Sequence, residues 1–299
     1  MNRPSEKRSA RAIPGARFLS ARLGPKAAED EDDVRPLKDP RAGGLTLRAM
    51  LPNAITAAAL CSGLTGIRFA TEGQWAFAIG LVVLAGVLDG IDGRVARLLN
   101  AQSRFGAELD SLADSLSFGV APALILFMWS LQEWPRFGWF AALAFAICCA
   151  LRLARFNARI DLEDQPHKSA GFLTGVPAPV GAGLAFMPYY LWHETGVGLF
   201  RDPMVMSGWL TLIAILMISN MATLSWASLR PRRSIRLPLI AFTGLAFAAL
   251  VLEPWWTLAA ICTAYLALMP YGLIKYDAIK RRRRQEATAS SDVPGDAAA

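Results

Sequence analysis

Four aspartates fall in two short stretches of the chain, and their spacing places two on each of two helical faces. Asp89 and Asp92 are three residues apart, and Asp110 and Asp114 are four residues apart. Residues at these separations are neighbours on one side of a helix, so each pair would present two carboxylates together. The short connection between the stretches would make the two helices antiparallel neighbours. We therefore expect four carboxylates to converge in one pocket.

Such a cluster needs a positively charged partner, because its carboxylates repel one another and because burying charge at membrane depth costs free energy. One or two divalent cations would remove this conflict. An all-oxygen, aspartate-rich set of ligands favours Mg²⁺ or Mn²⁺, with Ca²⁺ as the weaker alternative. A zinc site is not expected, because the chain has only two histidines and its four cysteines lie inside apolar stretches.

Glycines and an arginine accompany the acidic pairs. Gly90, Gly93 and Gly106 would let a ligand or a neighbouring backbone come close. Arg97 lies four residues beyond Gly93, on the same helical side, where its guanidinium could meet a phosphate oxygen. Together these features describe a diphosphate site. Solvated loop acids with packing glycines are a poorer explanation, because Asp89 directly follows an apolar run.

The elements that must position these residues belong to a strongly apolar chain. Of its 299 residues 54% are hydrophobic and 18% are charged, and from about residue 48 long apolar runs alternate with short polar gaps. A membrane-spanning helix needs about 20 mostly apolar residues. The candidate spans are 49–70, 74–96, 108–131, 138–157, 171–192, 206–229, 235–252 and 255–276. We predict an all-α polytopic membrane protein with about eight transmembrane helices.

The charged residues predict the domain limits and the orientation. Residues 1–47 and 278–299 are polar, so we predict two disordered cytoplasmic tails around a membrane domain at 48–277. Lys and Arg concentrate in both tails and in alternate gaps, which places both termini and the acidic pairs in the cytoplasm. The net charge of +7 follows from this topology, and we expect no nucleic-acid partner. The residues assigned to the opposite side are Arg68, Arg136 and Arg201.

The acids, glycines and arginine also match a family signature. The chain resembles the CDP-alcohol phosphatidyltransferases, whose pattern is D-x-x-D-G-x-x-A-R, eight residues, then G-x-x-x-D-x-x-x-D. The matching positions are Asp89, Asp92, Gly93, Ala96, Arg97, Gly106, Asp110 and Asp114. The resemblance implies that the four aspartates hold a two-metal centre, with Asp114 as the general base. It also implies that Gly93, Ala96, Arg97 and Gly106 bind the nucleotide and diphosphate of a CDP-linked lipid.

Three further stretches indicate the acceptor alcohol. Residues 51–56, 152–157 and 175–179 resemble the membrane-bound phosphatidylserine synthases of this family. That resemblance implies transfer of a phosphatidyl group from CDP-diacylglycerol to the hydroxyl of L-serine, with release of CMP. It also implies a homodimer, surrounded by membrane lipids, in a bacterial inner membrane.

These stretches add candidate binding residues. Arg152 and Arg155 are three residues apart and could bind the serine carboxylate or a lipid phosphate, although they could instead be topology signals alone. Asn53 and Thr56 share a helical face and could reach the nucleotide or acceptor, or could cap the helix. Lys168 is a further candidate for contact with a headgroup.

Other functions are open at this stage. A sibling enzyme could use glycerol 3-phosphate, choline or an inositol phosphate, because Arg152 and Arg155 could also bind a phosphorylated acceptor. A transporter would spread its acids over several spans near the midplane, whereas here they crowd on one side of two adjacent spans. A noncatalytic scaffold would not be expected to carry all eight signature positions. We therefore predict an enzyme.

Overall fold

A computed structural model describes residues 47–160, 172–219, 222–224 and 236–269. These residues are almost entirely helical, which confirms the predicted all-α class. The helices are α1 (Leu47–Thr71), α2 (Trp75–Leu98), α3 (Arg104–Asp114), α4 (Ala121–Trp129), α5 (Pro135–Ile160), α6 (Ala178–Ala185), α7 (Met187–Thr195), α8 (Pro203–Ile218), α9 (Arg236–Leu252) and α10 (Pro254–Met269). Two short strands, β1 (Phe172–Thr174) and β2 (Ala222–Leu224), pair antiparallel. Apart from Leu47, which begins α1, both predicted tails lie outside the described residues.

The helices are those of an integral membrane protein. In the part of the chain that the structure describes, four stretches are long and apolar enough to cross a membrane, namely Met50–Thr71, Trp75–Leu98, Arg104–Trp129 and Pro135–Ala158. Three further apolar helices among the described residues, α8, α9 and α10, are shorter. The count of eight spans therefore stays a prediction.

The fifth predicted span, 171–192, is interrupted in the structure. Its first residues include β1, its helix begins only at Ala178, and a break separates α6 from α7 just before Pro188. Proline has no N–H to donate and its ring clashes with the preceding turn, so prolines end or kink helices. The prolines that the sequence places in this span account for both interruptions.

The sixth predicted span, 206–229, ends early. The last helical residue of α8 is Ile218, and the hydroxyl of Ser219 donates to the carbonyl oxygen of Leu216 at 2.8 Å. A serine hydroxyl that satisfies a nearby carbonyl competes with continuation of the helix. Beyond this point β2 pairs with β1, so the segment after α8 is tied to the segment that precedes α6.

Helices α1 and α2 form a closely packed pair. A Cβ atom added at Gly66 would lie only 2.7 Å from the carbonyl oxygen of Ala78, and Ser62 donates to the carbonyl oxygen of Leu81 at 2.7 Å. Small residues and interhelical hydrogen bonds hold helices together in membranes, where lipid is as apolar as the side chains. The pair is therefore a firm support for the acidic residues near the end of α2.

A π-helical turn, Ser115–Val120, joins α3 to α4 directly after Asp114. The middle of this turn is buried, and α1, α2, α5 and α6 all contact it. Gly63 of α1 makes one of these contacts: a Cβ atom there would lie 3.0 Å from the Cα atom of Ser117. Turns of this kind are rare and often occur at functional sites. The π turn fixes the direction in which α3 presents its aspartates.

We expect Gly63→Ala to destabilise the protein. The new methyl group would lie 2.6 Å from Oγ and 3.0 Å from Cα of Ser117, so the backbone would have to shift. Overpacking of this kind costs about 1–3 kcal/mol. The unfolding temperature of detergent-solubilised protein should fall. Gly80→Ala should not lower it, because no described residue comes within 4 Å of a Cβ there. An unchanged unfolding temperature for Gly63→Ala would contradict the close contact.

Candidate active site

The structure brings the four aspartates together. One carboxylate oxygen from each of Asp89, Asp92 and Asp110 lies within 4.8 Å of the other two. Asp114 lies beside this group and interacts electrostatically with Asp89 and Asp110. Helix α1 packs against both α2 and α3 and so supports the two helices that carry the acids. The convergence expected from the spacing is therefore present, whereas the roles of the residues stay predictions.

The cluster is shielded from water and concentrates negative charge. Asp92 is only 4% exposed, and the other three aspartates are partly buried. Among the described residues, no basic side chain lies within 4.0 Å of any of the four acids. Hard carboxylate oxygens this close together suit a hard divalent cation. The donor set therefore fits the metal that the sequence predicts.

The start of α3 is fixed by a cap and by a contact with α1. The hydroxyl oxygen of Ser103 accepts a hydrogen bond from the backbone N–H of Gly106 at 3.0 Å. A Cβ atom at Gly106 would lie 2.8 Å from Oδ1 of Asn53. A larger residue here would have to displace the Asn53 amide, and the two predicted residues, Asn53 and Gly106, lie side by side. Ser103 did not figure in the sequence prediction, although a serine three residues before Gly106 is a typical N-cap.

Beside the acids, α2 presents uncovered backbone. Among the described residues, nothing lies within 4 Å of a Cβ atom built at Gly90 or Gly93. About one helical turn further along, Ala96 is partly buried and Arg97 is exposed. Open backbone followed by an exposed guanidinium leaves room for a phosphorylated ligand next to the aspartates.

Thr56 of α1 is buried and packed against Asp92. Its hydroxyl donates to Oδ2 of Asp92 at 2.5 Å. Both side chains are buried, at 5% and 4% exposure. The side chain of Thr56 therefore lies at the contact between α1 and α2, where it touches an acid of the cluster.

The end of α5 adds basic residues. Arg152 is partly buried and interacts electrostatically with Asp114, and its Nε has no hydrogen-bond partner among the described residues. Nη1 of Arg155 donates to the carbonyl oxygen of Ile218 at 3.2 Å. The structure thus brings Arg152 to the acids and connects Arg155 with the end of α8. Lys168 lies outside the described residues.

Asn157 is a further residue at this end of α5. Its Nδ2 donates to Oγ of Ser111 at 2.8 Å, and Ser111 lies between the two aspartates of α3. The sequence prediction assigned no role to this pair. No local spacing rule links side chains that are so far apart in the chain, and the only hint was that Asn157 closes the stretch 152–157.

Comparison with known proteins identifies the family. A family model described as CDP-alcohol phosphatidyltransferase matches residues 49–226, and one described as CDP-alcohol phosphatidyltransferase 2 matches residues 234–270. The chain belongs to the CDP-alcohol phosphatidyltransferase family. The resemblance inferred from the signature is thereby confirmed, and the four aspartates of this phosphatidyltransferase lie inside the first match.

Several curated relatives of the phosphatidyltransferase carry one name, CDP-diacylglycerol–serine O-phosphatidyltransferase. The protein of Mycobacterium tuberculosis (strain H37Rv) is 40% identical over 224 residues, which are 75% of this chain and 78% of the relative. The protein of Helicobacter pylori (strain J99) is 33% identical over 76% of this chain and 91% of its own. The protein of Methanocaldococcus jannaschii is 33% identical over 66% of this chain and 82% of its own.

We expect Asp110→Asn to weaken metal binding to the phosphatidyltransferase. The change removes one negative charge and one carboxylate ligand from three groups whose oxygens lie within 4.8 Å. Mn²⁺ affinity, measured by electron paramagnetic resonance on solubilised protein without lipid substrate, should fall by at least about tenfold. Glu108→Gln is the matched control, because Glu108 is an exposed acid on the same helix. Equal Mn²⁺ affinity for Asp110→Asn and wild type would argue against a metal site here.

Proposed function

We propose that this chain transfers the phosphatidyl group of CDP-diacylglycerol to the hydroxyl of L-serine, giving phosphatidylserine and CMP. The observation that supports this proposal most directly is the group of three carboxylates whose oxygens lie within 4.8 Å of one another. This group lies beside the uncovered backbone of Gly90 and Gly93. This arrangement offers a cation site next to space for a diphosphate. The names of the relatives support CDP-diacylglycerol as donor and serine as acceptor.

The aspartates would hold Mg²⁺ or Mn²⁺, as one ion or two. When bound, the metal would neutralise charge on the diphosphate and on the departing phosphate of CMP. The protein's own contribution is to fix the carboxylates before the substrate arrives, because positioned groups lower the entropy cost of reaction. The cap by Ser103, the contact between Asn53 and Gly106, and the π turn all serve this purpose.

Asp114 is proposed as the general base. It interacts electrostatically with Asp89 and Asp110 of the cluster and also with Arg152. Its carboxylate would take the proton from the serine hydroxyl as the serine oxygen forms a bond to the phosphorus that carries diacylglycerol. The bond from that phosphorus to the CMP oxygen breaks, and CMP leaves. A positioned base of this kind contributes about 10²–10⁴-fold to the rate.

Arg152 is proposed as the ligand of the serine carboxylate. Its Nε is buried without a hydrogen-bond partner among the described residues, and an unpaired buried donor is costly. A carboxylate would supply the missing acceptor, and the guanidinium could bind it in a two-point contact. The interaction of Arg152 with Asp114 would place the hydroxyl of the same serine near the base. Arg155 and Lys168 stay secondary candidates for contact with acceptor or lipid phosphate.

The proposal also covers the nucleotide-binding residues and the orientation of the protein in the membrane. Gly93, Ala96, Arg97, Gly106 and Asn53 would bind the CDP part of the donor. The space at Gly93, the exposure of Arg97 and the contact between Asn53 and Gly106 support this assignment. The phosphatidyltransferase would be a homodimer in a bacterial inner membrane. Its site and both tails, 1–47 and 278–299, would lie on the cytoplasmic side, which the Lys and Arg distribution supports.

Acceptor competition tests the proposed reaction. Purified protein with CDP-diacylglycerol and Mn²⁺ would be offered serine, glycerol 3-phosphate, choline or inositol phosphate separately, and CMP release would be measured. We expect serine alone to give sustained CMP release with phosphatidylserine as product. CMP release with another acceptor, and none with serine, would reject the serine assignment and favour a sibling enzyme.

We expect Arg152→Gln to raise the KM for serine. Loss of a charge-assisted hydrogen bond costs about 1.5–3 kcal/mol, which corresponds to a rise in KM of about 10–150-fold. The KM for CDP-diacylglycerol should change little, because Arg152 faces Asp114 and lies on α5, whereas the proposed nucleotide residues lie on α1, α2 and α3. Arg136→Gln, an exposed arginine at the other end of α5, is the control. An unchanged KM for serine would remove Arg152 from the acceptor site.

A further inference from the structure

The contact between Thr56 and Asp92 is a buried link between α1 and an acid of the cluster. The Thr56 hydroxyl lies 2.5 Å from Oδ2 of Asp92 and 3.1 Å from the carbonyl oxygen of Pro52. A hydroxyl has one hydrogen to donate. The distance to Asp92 is typical of a hydroxyl that donates to a charged carboxylate, so the hydrogen belongs to that bond.

This geometry separates Thr56 from the open side of the site. Its side chain is 5% exposed, and its single hydrogen is used by Asp92. The open space lies instead beside Gly90 and Gly93, which a ligand could approach. A hydroxyl buried against the carboxylate can orient that carboxylate, but it has little exposed surface with which to contact a nucleotide.

We infer that Thr56 is a positioning residue, which holds Asp92 so that its carboxylate faces Asp89 and Asp110. The inference rests on the proposed metal site. A carboxylate can rotate about its terminal bond, and one hydrogen bond to Oδ2 restricts that rotation. Partners of this kind orient metal ligands, and their loss typically lowers metal affinity by about 10–100-fold.

The support behind Thr56 makes the restraint effective. Further along the same pair of helices, Ser62 donates to the carbonyl oxygen of Leu81, and Gly66 allows contact with the backbone at Ala78. Because these contacts hold α1 against α2, Thr56 cannot move away from Asp92 without disturbing the pair.

Thr65 provides the matched comparison within α1. Its hydroxyl donates to the carbonyl oxygen of Cys61, four residues earlier, at 2.6 Å. Thr65→Val therefore removes a threonine hydroxyl from the same helix without touching the acidic cluster. Thr56→Val removes the hydroxyl with nearly the same volume, and Thr56→Ser restores it.

Metal binding without substrate gives the first readout. Mn²⁺ titration of the full-length, detergent-solubilised protein, followed by electron paramagnetic resonance, should show affinity lowered about 10–100-fold in Thr56→Val. Thr56→Ser should keep most of the wild-type affinity, and Thr65→Val should keep all of it. Thermal unfolding without metal reports whether each variant folds. If Thr56→Val does not fold, Thr56→Ala replaces it and carries the same expectation.

Turnover gives the second readout. The rate of CMP release by Thr56→Val should recover as the Mn²⁺ concentration is raised, and its KM for CDP-diacylglycerol at saturating Mn²⁺ should equal that of wild type. Wild-type Mn²⁺ affinity in a folded Thr56→Val would overturn the inference, and so would a raised KM for CDP-diacylglycerol at saturating metal. Absence of Mn²⁺ binding by the wild type would instead overturn the proposed metal site, and the inference with it.

Discussion

Repulsion among clustered carboxylates is the constraint on which this structure depends. Two unit charges 4.8 Å apart, the upper limit for Asp89, Asp92 and Asp110, repel each other by at least about 3 kcal/mol at an effective dielectric constant near 20. Two of the three pairs, Asp89–Asp110 and Asp92–Asp110, act between α2 and α3 and, with Asp114 close by, would push these helices apart if nothing opposed them. The fold opposes this repulsion with close packing, and a bound divalent cation would convert it into attraction.

The packing around the acids works through contacts that small residues permit. Gly66 lets α1 approach α2, Gly106 lets α1 approach the start of α3, and Gly63 lets α1 approach the π turn. One helix is therefore in contact with every element that carries an acid. Because α1 holds both α2 and α3, the separation of the two acidic pairs depends on a helix that supplies no acid itself.

The sequence predicted what depends on local spacing and missed what depends on distant contacts. The spacing of Asp89, Asp92, Asp110 and Asp114 is enough to place them on two helical faces, and apolar run length is enough to find the helices. Helix ends in the fifth and sixth predicted spans were misplaced, because they depend on prolines, a serine side chain and the pairing of β1 with β2. The burial of Thr56 could not be predicted either. The helical face on which a residue lies gives the direction of its side chain, but not how deeply that side chain is buried.

The π turn alters how the third hydrophobic stretch is projected onto a helical wheel. An α-helix advances about 100° per residue, and the wider turn at Ser115–Val120 changes that phase between α3 and α4. A wheel drawn continuously through Arg104–Trp129 would assign wrong orientations to one half of the stretch. Removal of one residue here could leave a long apolar helix, yet it would turn Asp110 and Asp114 toward lipid or toward another helix. A prediction based only on the length and hydrophobicity of this stretch would not detect such a change in orientation.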